Sequence, residues 1–392
     1  MAHTADVVII GAGVTGASIA FNLAKRGITN VAVLEKNFIA SGATGKSSAC
    51  IRQHYSTEVT ARMVRRSLDV FENFGDVIGG SAGFTRTGYL MGVPEQDLAA
   101  LKNVVAMQRR VGINTRLISP EEIREIEPRT RVEDLAGGAW EPDSGYADPS
   151  DTTSSFIRRA RELGVRVHQG TEVTGIQLVG GAVAEVVTNQ GRFSTPTVID
   201  AAGAWGDRIA AMVEVAIPLT VCRHNICFVK RPAEAAERHP LFYDFVSQVY
   251  TRPEGADLTL VGSLDPIELN DRVDPDHYDH GVSYDRTVEM TGHVTHRFPR
   301  FETGYFHSGY SGFFDVMPDW HPILDAVPGI GGMYMAVGFS GHGFKLAPAV
   351  GEMMAELIIN GKQPGTDIDA FRFTRFADKQ PIRGMYDEGL MG

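Results

Sequence analysis

The sequence is short of several things at once. Three cysteines in 392 residues, Cys50, Cys222 and Cys227, cannot build a disulfide framework. Cys222 and Cys227 both lie in TVCRHNICFVK, which reads as a strand, and their odd separation puts them on opposite faces, against both a bridge and a shared metal ion. Positive charge is not in excess. The 37 Lys and Arg stand against 48 Asp and Glu, for a net charge of -11, and no basic face is evident, so nucleic acid is not an expected partner. No apolar stretch approaches the roughly 18 residues a membrane helix needs. The N-terminus has no basic region followed by an apolar segment; a strand-like run begins almost at once at Asp6. These absences together predict a reduced, cytoplasmic protein. Internal repeats and low-complexity segments are lacking too. The pairs His277/His280 and His293/His296 have metal-like spacing, but no cysteine or acid cluster completes a site, so they read as surface loops and no metal is expected.

What is present is an ordinary globular composition, 43% apolar and 22% charged, arranged in interrupted α/β pieces. Val7 to Ile10 is a buried-strand run, Ala17 to Lys25 a helix closed by Gly27, and Val31 to Leu34 the next strand. A helical pattern runs from Glu58 towards Phe74, and another from about Asp97 to Val111. ISPEEIREIEP is a helix start, with Ser119 as N-cap and Pro120 at the first position. A second α/β piece ends in the strand Thr197 to Ala201, and the text from Ile217 to about Phe314 is strand-rich. The discontinuity predicts two interleaved lobes, one from 1–80, 140–216 and 318–392, the other from 81–139 and 217–317.

Two glycine-rich stretches carry chemistry. GAGVTG (Gly11, Ala12, Gly13, Val14, Thr15, Gly16) follows a strand, opens a helix, and is answered by Glu35 at the end of the next strand, with Lys36 after it. That is the dinucleotide fingerprint. Gly11 makes the tight turn, Gly13 lets a pyrophosphate approach, Gly16 lets helix and strand pack, and Glu35 accepts the ribose hydroxyls. The helix N-terminus offers unpaired N–H groups to the phosphates. Near the other end, GFSGHGFK (Gly338, Ser340, Gly341, His342, Gly343, Phe344, Lys345) breaks an apolar run and starts a helix with the core stripe Leu346, Val350, Met353 and Leu357. A helix N-terminus there suits the negative charge of a reduced flavin, and the glycines would let backbone amides reach a flat ring. This points to FAD rather than NAD. The loop ATGKSS (Ala43, Thr44, Lys46, Ser47) is expected beside the same cofactor, with Lys46 and Ser47 as pyrophosphate or ring contacts.

With both ends in view, the chain resembles the flavin-dependent amino-acid and amine oxidases of the D-amino-acid oxidase superfamily, most of all the sarcosine oxidase β-subunit and monomeric sarcosine oxidase branch. The resemblance runs through GAGVTG, ATGKSSACIRQHY, GYADPSD, TEVTGI, VIDAAGAWGD and GFSGHGFKLAPAVG. It implies an α/β fold of two lobes, a glutathione-reductase-type, Rossmann-like FAD domain interleaved with a mixed-sheet substrate domain that roofs the flavin. Val173 would contact adenine, and Ala201, Ala202 and Gly203 the pyrophosphate. Trp205 and Trp320 would pack beside the cofactor domain. By the same resemblance Arg52 in IRQHY and Lys345 in GFK grip a substrate carboxylate. His54 and Tyr55 face the flavin, His54 either tuning the amine's proton or filling space. Tyr250 and Arg252 line the roof, Arg252 as a second clamp candidate, and His342 has either a structural role or a ring contact. The activity implied is oxidation of the C–N bond of an N-alkylated amino acid, sarcosine-like, to an imine, by hydride transfer to flavin N5. A deaminating D-amino-acid oxidase or dehydrogenase, or the flavin subunit of a hetero-oligomeric amine dehydrogenase, is the alternative.

Departures sharpen this. The tethering cysteine of the monomeric enzymes falls near Gly312, and the histidine that carries the β-subunit's second flavin at Pro149, so one FAD without a covalent bond is expected. The G-L-R-P-like stretch of D-amino-acid and glycine oxidases reads GYSGFFD here, which favours the sarcosine-type clamp. The oxygen-activating lysine corresponds to Thr259, which puts O2 in competition with another electron acceptor. The partners expected are a carboxylated amine and that acceptor, with room for a homo-oligomer or a partner subunit.

Overall fold

Val7–Ile10 and Val31–Leu34 are unbroken apolar runs because both faces of their sheet are covered. In the computed structural model, which describes residues 2–362, 365 and 367–386, they lie in a six-stranded sheet. Its strand order is 166–168, 31–34, 7–10, 198–200, 333–337 and 323–326, all parallel except the last. Alternation divides each strand between two cores. Val7 and Ile9 pack under the helices Val14–Lys25, Pro149–Glu162 and Gly343–Asn360, while Val8 and Ile10 face a four-stranded sheet that contributes Val173, Val186 and Phe193. The predicted helix stripe holds for Leu346, Val350 and Leu357, which are buried, with Met353 at its partly exposed margin.

The second half is an eight-stranded sheet ordered 305–316, 220–230, 258–263, 249–254, 241–244, 89–93, 137–141 and 116–118. It is mixed because strand 241–244 pairs in parallel with 89–93 and every other neighbour is antiparallel. The boundary expected near residue 140 falls inside the strand Gly137–Glu141 of this sheet. One face packs on the helix Tyr284–Arg297 through Cys227, Phe242, Val261, Met290 and Val294. The other carries Tyr89, Tyr243 and Tyr250 toward the first half.

Local signals hold where they were specific. Ser119 and Glu122 form a reciprocal capping box at the helix Pro120–Ile126. His293 and His296 were expected in a loop but stand on the helix Tyr284–Arg297, where His296 pairs with Asp134 at 3.0 Å. Among the described residues no group of three or more His, Cys, Asp or Glu could hold a metal, and no helix is long and apolar enough to cross a membrane.

Candidate active site

The carboxyl edge of a parallel sheet is where an open α/β fold leaves room for a ligand. Here that edge, through Ile10, Leu34, Ala201 and Ala336, forms the floor of a long cavity whose roof is the eight-stranded sheet. At one end the cavity is lined by Gly11, Gly13, Val14, Thr15, Glu35, Lys36 and Val173, and along its length by Ala43, Thr44, Lys46, Ser47, Ala201, Ala202, Gly203 and Trp205. Ser340, Gly341, His342, Gly343, Phe344, Lys345, Arg52 and Tyr250 line the rest.

Backbone geometry explains the first end. Gly11 has φ +104, and a Cβ there would meet the Ala201 carbonyl oxygen at 2.5 Å, so only glycine makes this turn. A Cβ on Gly16 would overlap the Gly11 carbonyl oxygen, so Gly16 serves packing and does not line the cavity. Ala12 is in the core, its N–H donating to Glu35 Oε2 at 2.9 Å. Lys36 stacks over Trp205 at 3.8 Å and pairs with Asp276 at 2.5 Å, and Asp276 also accepts from Trp205 Nε1 and Arg208. Lys46 is held by the Tyr278 hydroxyl and lies 3.2 Å from His280 Nδ1.

These residues fit a dinucleotide. A Cβ on Gly13 would meet only the Thr44 hydroxyl, at 3.1 Å, and one on Gly203 would meet nothing within 4 Å, so the backbone there is open to a ligand. Neither the helix Val14–Lys25 nor Gly343–Asn360 has a cap from its own N-cap side chain; Thr44 Oγ1 accepts the Val14 N–H at 3.1 Å. Both helix N-termini therefore face the cavity with donors available for an anion.

Two of the GFSGHG glycines have a packing reason, and one of them, Gly338, is away from the cavity. At Gly338 (φ +80) Met317 occupies the space a Cβ would need, and the Gly338 N–H and that of Phe339 both go to Asp315 Oδ2, at 3.0 and 3.1 Å. Gly341 (φ +82) is pressed by the Phe314 ring, 2.9 Å from where a Cβ would sit. Burial raises the Asp315 carboxyl to about 6.

At the other end charge is concentrated. Arg52 and Lys345 are both buried and both line the cavity. Burial, with the charge of Arg52 second, pushes the Lys345 amine down to about 7. Arg52 donates to the His54 carbonyl, and its guanidinium lies 4.4 Å over the Tyr55 ring and 5.5 Å from that of Tyr243. Burial opposes its charge, but Tyr55, Tyr243, Tyr89 and Glu141 outweigh it and hold the pKa above the ordinary value. Its Nε is buried without a partner among the described residues. Also in the lining, His224 stacks on Phe314 at 4.1 Å, its Nε2 3.0 Å from the Tyr250 hydroxyl and its Nδ1 2.9 Å from Glu268 Oε2.

Other predicted residues sit elsewhere. Arg252 pairs with Glu254 at 2.6 Å, lies over Tyr146, and is not in the lining. His54 and Tyr55 are behind the wall, Tyr55 edge-on to His342 at 5.3 Å. Thr259 is also away from the cavity, bonded to His239 at 2.9 Å and Arg231 at 3.1 Å, so nothing about oxygen follows from it. Sequence reasoning missed His224, Glu268, Tyr243, Asp276, Phe313, Phe314 and Asp315 at or beside the cavity, and gave Trp320 only a packing role. Trp320 adopts φ +61 and lines it. Strand alternation in TVCRHNICFVK could have put His224 on one face, but not said which face meets the cavity.

The family model described as DAO, FAD dependent oxidoreductase, matches residues 6–357. This chain belongs to that family. It is similar to the mitochondrial sarcosine dehydrogenase of Mus musculus, 27% identical over 384 residues, covering 95% of this chain and 41% of that protein. It thus spans less than half the length of that relative. It is 24% identical over 389 residues to the sarcosine oxidase subunit beta of Rhodobacter capsulatus, covering 97% and 92% of the two. Among solved structures, L-proline dehydrogenase from P. horikoshii superposes with a TM-score of 0.88 at 30% identity, over 97% of this chain and 100% of that one. The cavity's fit to a dinucleotide and the family agree, and FAD is the cofactor.

Proposed function

We propose that this family member oxidises the C–N bond of a carboxylated secondary amine, sarcosine-like or proline-like, to the imine, which water then hydrolyses or which stays cyclic. The observation that carries the reading is the buried pair Arg52 and Lys345 in the wall of a cavity that His224 and Tyr250 also line. A carboxylate is the natural ligand for two buried cations with few acids of their own nearby, because charge-assisted bonds in a water-poor site are strong. The names of the relatives support the same chemistry: sarcosine and L-proline share a secondary amine next to a carboxylate.

FAD, when bound, accepts a hydride from the carbon beside the nitrogen. The chain's own residues do the rest. Arg52 and Lys345 hold the carboxylate, which fixes the substrate's orientation and makes the transfer effectively intramolecular. The amine must be neutral to give up a hydride, and Tyr250 with His224 and Glu268 forms a hydrogen-bonded chain that takes its proton away from the cavity. Glu268 is able to balance a charged imidazole: burial would raise its pKa, but His224, Asn225 and Arg286 outweigh that and keep it a carboxylate. Phe314, Trp320 and Tyr243 exclude water. A cofactor held without a covalent bond is the reading the resemblance favours, with Gly312 near the place of the tethering cysteine and no cysteine in the cavity lining among the described residues.

The test is anaerobic mixing of the holoprotein with sarcosine, L-proline, glycine, pyrrolidine and D-alanine, following the visible flavin absorbance. Bleaching by sarcosine or L-proline, but not by pyrrolidine, supports the reading. Bleaching by D-alanine with release of ammonia would replace it with the deaminating one. Acid precipitation that leaves yellow colour in the pellet would overturn the non-covalent attachment.

A further inference from the structure

The C-terminal segment returns to the substrate end of the cavity from behind. It is first pinned to the turn that carries Trp320. The fully buried Arg375 donates to both oxygens of Asp319, at 2.7 and 3.0 Å, and to the His321 carbonyl at 2.6 Å, and the Ile382 N–H bonds Asp319 Oδ2 at 3.0 Å. The chain then crosses to the other half, where the Tyr386 ring packs on Phe245 at 6.2 Å and on His54 at 5.9 Å. There the Tyr386 hydroxyl lies 2.7 Å from His54 Nε2.

His54 is fully buried between Glu141 and Tyr386. Its Nδ1 has no hydrogen-bond partner among the described residues and faces Glu141 Oε1 at 3.7 Å, an oxygen that also lacks one. The other oxygen of Glu141 accepts the Gln53 N–H at 2.9 Å and the Ser144 hydroxyl at 2.8 Å. Burial raises the Glu141 carboxyl to about 7, and the His54 Nε2 and Tyr386 hydroxyl share one hydrogen bond whose donor follows the ring's tautomer. Burial, then the charge of Arg52, lowers His54 to about 3, which keeps the ring neutral. The His54 carbonyl in turn accepts from Arg52. One unbroken set of contacts thus links Tyr386 to the guanidinium in the wall.

We propose that Tyr386 is a positioning residue for Arg52: its hydroxyl holds His54, and His54 holds the guanidinium at the angle that receives the substrate carboxylate. This rests on the carboxylate-clamp reading above. It does not make Tyr386 a catalytic residue, because Tyr386 is not in the cavity lining.

The experiment compares wild type with Tyr386→Phe in FAD-loaded protein. Acetate serves as a probe of the clamp, its binding read from perturbation of the flavin absorbance, alongside KM and kcat for whichever amine bleaches the flavin. Expected is an acetate Kd and a KM raised about five- to tenfold, the size of one lost hydrogen bond to a buried group, with kcat and bound-FAD ratio unchanged and the melting temperature lowered by no more than a few degrees. Tyr386→His, which keeps a ring donor near Nε2, should recover part of the loss. Unchanged acetate Kd in Tyr386→Phe overturns the proposal, and so does a fall in melting temperature that Tyr386→His repairs without repairing Kd. If wild type binds acetate tightly and Tyr386→Phe weakens it, yet no carboxylated amine bleaches the flavin, the positioning role stands and the substrate reading alone fails.

Discussion

The two ends of the cavity are built by different means. At the end that fits a dinucleotide the lining is largely the glycine turn and main chain between Gly11 and Glu35, and most side chains of that stretch point into the core. At the substrate end they are side chains, Arg52, His224, Tyr243, Tyr250, Trp320 and Lys345, spread over nearly three hundred positions and brought together by a mixed sheet. A shape made of backbone leaves little freedom in sequence, because Gly11 and Gly16 are each demanded by main-chain atoms that cannot move. A shape made of side chains is tunable, because each residue answers only to its own strand.

The largest effect should come from the rigid end. Gly16→Ala would drive a methyl into the Gly11 carbonyl oxygen, backbone against backbone, and the overlap should cost on the order of 3 kcal/mol or more. Expression should yield protein with little FAD and a lower melting temperature, read from the flavin-to-protein absorbance ratio. Normal loading in this variant would mean the fingerprint is not the fold's fixed point.

At the tunable end, the Lys345 amine at about 7 makes carboxylate binding weaken as pH rises through that value, by roughly tenfold between pH 6 and 8.5. Lys345→Met should bind acetate more weakly at pH 6 and lose the pH step while keeping its FAD. The depressed amine also ties stability to pH. Between about 7 and the ordinary lysine value of 10.5 the unfolded chain holds more protons than the folded one, so this group makes the fold more stable as pH rises over that window. Thermal melts of wild type and Lys345→Met across pH 7 to 10 should differ in slope accordingly. Parallel curves would show that Lys345 is not desolvated.

Glu268→Gln keeps the shape beside His224 but removes the charge that balances it. Flavin reduction should slow by roughly tenfold with KM little changed, measured by anaerobic stopped flow. An equal rise in KM would instead make Glu268 part of the binding wall. The smallest effect belongs far from the cavity: Ser119→Ala breaks the capping box and should lower stability by about 1 kcal/mol in denaturant unfolding, with no change in reduction rate.

How much was legible follows the same division. The fingerprint strand, helix and Glu35 could be read because a tight turn, a close approach and helix–strand contact each require a particular residue type at fixed spacing. The Ser119 cap was readable for the same local reason. GFSGHG was legible as a special turn, but Gly338 and Gly341 answer to Met317 and Phe314, more than twenty positions away, which no local pattern reveals. Arg52 and Lys345 came from resemblance rather than from spacing. Arg252 and Thr259 misled because each sits on a strand of the roof, and which strand face meets the cavity is decided by pairing across the sheet. His224 and Glu268 gave no signal for a related reason: forty-four positions separate them, and only the pairing of the strand Thr220–Lys230 with its neighbours brings them within 2.9 Å.

The claim at the centre is that two buried cations choose the substrate by its carboxylate. The direct measurement is the anaerobic flavin-reduction rate with L-proline against pyrrolidine, in wild type and in Arg52→Ala/Lys345→Ala. Wild type should prefer L-proline by at least a hundredfold, and the double variant, still loaded with FAD, should lose most of that preference. An undiminished preference in the double variant would contradict the account.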